Sequence, residues 1–202
     1  MSEPNIKPNT KKELMDDKVV FGLWIYILSD CVLFAALFAT YAVQHTQLFG
    51  GPSSDEIFSL SNALIETLLL LTSSFTCGLA VLFAYSKEDA NSTYKTIALL
   101  SVTFLLGLAF IALELKEFGQ LVADGHNWQQ SAFLSSFFTL VGTHGLHVTL
   151  GSIWMLVLMA NIYLRGVTTG NMRKLLAFSI FWHFLDIIWI FIFTFVYLFG
   201  LM

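Results

Sequence analysis

The stretch Val20–Val43, VFGLWIYILSDCVLFAALFATYAV, contains a single charged side chain, Asp30. A helix rises about 1.5 Å per residue, so about 20 apolar residues cross the roughly 30 Å hydrocarbon core of a bilayer. Four further runs have the same character: Ser61–Tyr85, Thr96–Lys116, Ala132–Leu164 and Leu175–Leu201. Each carries the polar backbone of a spanning segment, which only a helix or a closed barrel satisfies inside lipid. These lengths predict an all-α, polytopic bundle of five transmembrane helices, residues 20–202 forming one domain. The fourth run exceeds the thickness of the core and is expected to tilt or project. Residues 1–19 are polar, with Pro4 and Pro8, and read as a disordered tail.

Composition agrees. Of 202 residues, 56% are hydrophobic and 12% charged, against about 25% charged in an ordinary soluble domain. Ten Lys and Arg against fourteen Asp and Glu leave no basic field, so nucleic acid is not an expected partner. The two cysteines, Cys31 and Cys77, both fall within apolar runs and offer no disulfide framework.

Basic residues fix a direction. Lys7, Lys11, Lys12 and Lys18 precede the first run; Lys87 and Lys95 follow the second; Arg165, Arg173 and Lys174 follow the fourth. Only Lys116 lies at the edge of the alternate side. The positive-inside rule then places the N-terminus in the cytoplasm and the C-terminus outside.

Every run also contains polar residues at three- or four-residue steps, which places them along one helical face. The first has Asp30; the second Asn62, Glu66, Ser73 and Cys77; the third Thr103, Gly107, Phe110 and Glu114. The fourth has His144, His147 and Gly151, and the fifth Ser179, His183 and Asp186. A charged group at the bilayer centre costs about 2.5–3.5 kcal/mol on insertion scales, so such side chains face protein. Their simplest role is to join helices by hydrogen bonds and close packing of small residues. Counting along the helices, Asp30, His183 and Asp186 fall in the inner-to-middle third, while Glu66 and Glu114 lie near the outer ends. These depths allow a Glu66/Glu114 neighbourhood on the outer side and a His183–Asp186 bond within the fifth run, and sequence alone leaves open which pairs form.

Three histidines inside the membrane raise the question of a haem or metal. A b-type haem needs two imidazoles opposed across helices. His144 and His147 sit three apart on one helix, which suits two ligands of one metal better than opposed haem ligands. His183 offers a third imidazole. Neither HExxH nor the Glu-x-x-His pairs of di-iron bundles occur. A b-type cytochrome anchor using His147 and His183 is one alternative to a structural role, and a small proton-coupled transporter using Asp30, Glu66 and Glu114 is another.

Three stretches together resemble one family. Gly142-Thr143-His144-Gly145-Leu146-His147-Val148 followed by Gly151, Trp182-His183-Phe184-Leu185-Asp186-Ile187-Ile188-Trp189, and Leu28-Ser29-Asp30 with Phe34 and Phe38 are similar to the signatures of subunit III of haem–copper terminal oxidases. The similarity runs from about Phe21 to Gly200. Mitochondrial-type members have seven helices. Five resemble the bacterial quinol-oxidase branch, the cytochrome bo type in particular, with a shortened cytochrome c oxidase subunit as the alternative. At Asp30 many members carry Glu.

This resemblance implies a subunit of the bacterial inner membrane that has no catalytic residues and binds no cofactor or metal of its own. Haem and copper belong to the partner, catalytic subunit I. The chain would pack against that and other subunits, hold structural phospholipids, and support a complex that oxidises quinol, reduces oxygen to water and pumps protons.

Overall fold

The computed structural model describes residues 10–47, 60–86 and 92–201, with side chains from residue 20 to residue 200 within those segments. Five long helices account for almost all of them: α1 Thr10–Gln44, α2 Leu60–Tyr85, α3 Ser92–Ala123, α4 Ala132–Arg165 and α5 Thr169–Ile192. After α5 the chain loosens into a π-helical turn, Phe193–Leu198, and tightens into a 3-10 turn, Phe199–Leu201. All five helices are long and apolar enough to cross a membrane, and no strand occurs among the described residues.

Most ends differ from the sequence expectation by helices continuing beyond the apolar runs; at the C-terminal end the α-helix instead stops at Ile192, nine residues before Leu201, and passes into the π and 3-10 turns. Helix α1 begins at Thr10, so residues 10–19 of the expected tail are helical, and residues 1–9 lie outside the described segments. Helix α3 runs seven residues past Lys116 to Ala123, and α5 starts at Thr169 rather than Leu175. Hydropathy marks where a helix enters lipid, whereas backbone hydrogen bonding persists into water wherever the residues are good helix formers, as Lys11, Lys12 and Glu13 are. Capping residues mark the true ends. The Ser131 hydroxyl accepts from the Leu134 N–H at 3.1 Å, and Thr168 caps α5 through the Asn171 N–H. Gly166, at φ 67°, ends α4 and donates its N–H to the Ile162 carbonyl at 2.8 Å.

Helices α2, α3, α4 and α5 pack in sequence, and α5 returns against α2 to close a four-helix ring. Helix α1 stands outside this ring, leaning on α4 with a smaller contact to α5. It buries only a narrow seam, Ile27, Asp30, Phe34 and Tyr41, at the three- and four-residue steps of a coiled-coil face. Its remaining surface is apolar and exposed, including Phe21, Trp24, Leu28 and Val32.

The ring is centred on two tryptophans one heptad apart on α5. Trp182 donates from Nε1 to Ser73 Oγ at 2.9 Å, and Trp189 donates to Thr67 Oγ1 at 3.1 Å, so both tie α5 to α2. The Trp182 ring occupies a slot left by two glycines. A Cβ at Gly107 would lie 3.1 Å from this ring and one at Gly151 3.1 Å from it, so neither helix could approach as closely with a larger residue. Trp189 meets Phe110 edge-on, with ring centroids 4.7 Å apart.

Candidate functional site: polar clusters inside the bundle

The seven polar residues singled out from the sequence fall into three clusters, each at a different helix junction.

The first lies between α1 and α4. His147 donates from Nδ1 to the Thr143 carbonyl of its own helix at 2.8 Å, since a carbonyl only accepts. That orientation turns Nε2 toward Asp30, whose Oδ1 is 3.7 Å away. Phe34 packs against the His147 ring with centroids 5.3 Å apart, and the Tyr26 hydroxyl lies against Asp30. Counting residues from the inner helix ends puts Asp30 level with His183 and Asp186 without naming its neighbour; the fold sets it against α4, because α1 docks there.

The second cluster is interior. His144 is fully buried, surrounded by Phe34, Phe110 and Trp189, whose ring centroids lie 6.4, 5.8 and 5.3 Å from its own. Neither ring nitrogen has a hydrogen-bond partner among the described residues. One residue further along α4, Gly145 makes room for the Glu114 carboxyl group: a Cβ there would fall 2.7 Å from Oε2. Glu66 and Glu114 are close enough for their charges to interact, and Glu117 joins them. Tyr197 donates to Glu117 Oε1 at 3.4 Å, a long contact delivered by the π-helical turn after α5.

The third cluster lies between α2 and α5. The Ser74 hydroxyl is 2.5 Å from His183 Nδ1, and the Asp186 carboxyl group lines the same groove between these helices, its Oδ1 without a hydrogen-bond partner among the described residues. His183 and Asp186 interact through space, and the serine of the neighbouring helix bonds the imidazole.

Sequence reasoning did not pick out Ser74, Glu117, Tyr26 or Tyr197. Glu117 carried a signal, since it stands three residues after Glu114 and so shares its face; the apolar run ended too early to include it. Ser74 was passed over for its neighbour Ser73, and both are buried. Asn62, placed on the α2 stripe, is exposed; Ala63 takes the inward position one residue on.

Among the described residues, no three His, Cys, Asp or Glu side chains converge as a metal's donor set. His147 faces α1 and His183 faces α2, so these two imidazoles do not oppose one another as axial haem ligands would.

The model of the family described as cytochrome c oxidase subunit III matches residues 2–201. The chain belongs to that family. Among curated relatives of this subunit III chain, the cytochrome bo(3) ubiquinol oxidase subunit 3 of Pseudomonas aeruginosa is 56% identical over 90% of this chain and 85% of the relative. The protein of the same name from Buchnera aphidicola (subsp. Acyrthosiphon pisum) is 43% identical over 97% and 94%. A cytochrome c oxidase subunit 3 from Bacillus sp. strain PS3 is 42% identical over 96% and 92%. Gly145, Gly151, Trp182 and Trp189 are positions at which this subunit's helices make close approaches and interhelical hydrogen bonds.

Proposed function

We propose that this chain is the non-catalytic third subunit of a quinol-oxidising haem–copper terminal oxidase, and that its intramembrane polar residues serve assembly rather than electron transfer. One observation carries the reading: a subunit III family match spanning residues 2–201, joined to 56% identity with a ubiquinol oxidase subunit 3. In this role Asp30, Glu66, Glu114, His144, His147, His183 and Asp186 bind helices to one another and to neighbours. Haem and copper reside in the catalytic subunit I, and phospholipids fill the spaces between subunits. The complex sits in the bacterial inner membrane with the N-terminus of this chain inside and the C-terminus outside, supported by nine basic residues on one side.

The test is purification of the tagged chain from its native membrane in mild detergent. A haem–copper partner should accompany it, and the purified complex should consume oxygen with a quinol donor. Recovery of the polypeptide without such a partner would refute the proposal. A second reading, a cytochrome c oxidase subunit, is supported by the 42% identity to the Bacillus sp. strain PS3 protein. Oxygen uptake with reduced cytochrome c, and none with quinol, would select it.

A further inference from the structure

Helices α2 and α5 leave an open groove of about 380 Å³ on the outside of the ring, with Ser74, Phe75, Gly78, Leu82, His183 and Asp186 among its lining residues. Its polar floor has no place in a bundle that simply meets lipid. Ser74 lies near the middle of α2, roughly 16 Å along the axis from Tyr85 and about 21 Å from Leu60. That depth is about half of a roughly 30 Å hydrocarbon core, so only acyl chains, and no headgroup, reach it from the lipid side.

Helical hydrogen bonding determines what the floor presents. His183 Nδ1 is engaged by the Ser74 hydroxyl. The other ring nitrogen, Nε2, passes over Gly78, where even a Cβ would stand 3.9 Å away, and makes none of the hydrogen bonds between described residues. The tautomer of the ring sets the direction of that bond. With the hydrogen on Nδ1, the ring donates to Ser74 and Nε2 is left as an acceptor. With the hydrogen on Nε2, Ser74 donates to Nδ1 and Nε2–H becomes a donor. A side chain that both donates and accepts satisfies either arrangement: a hydroxyl or a carboxamide. Phe75 and Leu82, 66% and 63% exposed, form the rim along α2, and Gly78 lowers the floor between them, the small-residue notch into which membrane helices pack.

Building on the proposed oxidase role, we infer that this groove seats a transmembrane helix of another subunit of the complex, which places a Ser, Thr, Tyr, Asn or Gln side chain on His183 Nε2. A lipid acyl chain has no group to offer there. A second copy of this chain would have to present one of its own exposed hydroxyls at the same depth.

The test replaces Phe75 with the photocrosslinker p-benzoylphenylalanine in the tagged chain, irradiates native membranes, and purifies the complex with its haem content measured. The expected product is an adduct to a membrane-spanning segment of a co-purifying oxidase subunit, with one of those five residue types within a turn of the attachment point. Adding His183→Phe should lower the adduct yield at least threefold in complexes of unchanged haem content, and His183→Gln, which keeps a polar tip, should restore most of it. A haem-containing complex in which Phe75 captures only lipid, or only a second copy of this chain, overturns the inference while leaving the oxidase role standing. A chain that purifies without haem overturns both.

Discussion

Trp182 shows how a single side chain sets the distance between helices here. Its indole fills the slot between Gly107 and Gly151 and its N–H reaches Ser73, so α2, α3, α4 and α5 all meet at one residue. Gly151→Ala puts a methyl group 3.1 Å from Trp182 and 3.0 Å from Phe181, contacts tighter than van der Waals spacing. Overpacking of this kind costs about 1–3 kcal/mol. The melting temperature of the detergent-solubilised protein should drop by several degrees, while Gly142→Ala, whose Cβ would meet Phe118 at an ordinary 3.7 Å, should leave it unchanged. Equal melting of both variants would remove the glycine slot from the account. Trp189→Phe loses the bond to Thr67 and the volume of an indole fully buried against Phe110, His144 and Tyr197. Interhelical hydrogen bonds in membranes are worth about 0.6–2 kcal/mol and the vacated space adds to that, so thermal melting should fall for this variant as well.

At the scale of elements, α1 is the helix held least. Its seam of Ile27, Asp30, Phe34 and Tyr41 is one residue wide, and Phe34, 1% exposed, is its main anchor against His144 and His147. Phe34→Ala opens a cavity of the sort that costs about 3–5 kcal/mol in a soluble core. Loss should concentrate at the α1–α4 junction: hydrogen exchange measured by mass spectrometry should rise in Leu28–Leu37 and remain low across the Trp182–Trp189 segment. Uniform exchange throughout the bundle would contradict an independently docked α1.

The same scale shows what was legible beforehand. Five spans were readable because the bilayer demands about 20 apolar residues at a time, and that demand is written directly in composition. The stripe on α3, from Thr103 through Gly107 and Phe110 to Glu114, was readable too, since burial repeats at helical period. Partners were not. Residue counting gives depth along an axis but says nothing about which helices are neighbours: it puts Asp30 level with His183 and Asp186, and the fold sets it against His147. Nor does hydropathy see helices extending into water, which is why Glu117, on the continuation of α3, escaped notice.

At the largest scale, the described residues form a closed ring of four helices with a fifth at its side, and polar clusters lie between the helices. The chain's proposed direction in the membrane is open to a simple check. In intact spheroplasts, a membrane-impermeant maleimide should label Asn127→Cys, in the exposed turn after α3, and leave Gly170→Cys, at the start of α5, unlabelled until the cells are lysed. The reverse pattern would invert the topology.

The central claim is that the buried imidazoles and carboxylates of this chain grip helices while redox chemistry resides in a companion. Its most direct test separates the purified complex into subunits under mild conditions and measures iron, copper and the optical spectrum of each. All haem and copper should follow the partner, leaving this chain with no Soret band. Stoichiometric iron or copper on the isolated chain, lost on His144→Ala or His147→Ala, would contradict the account.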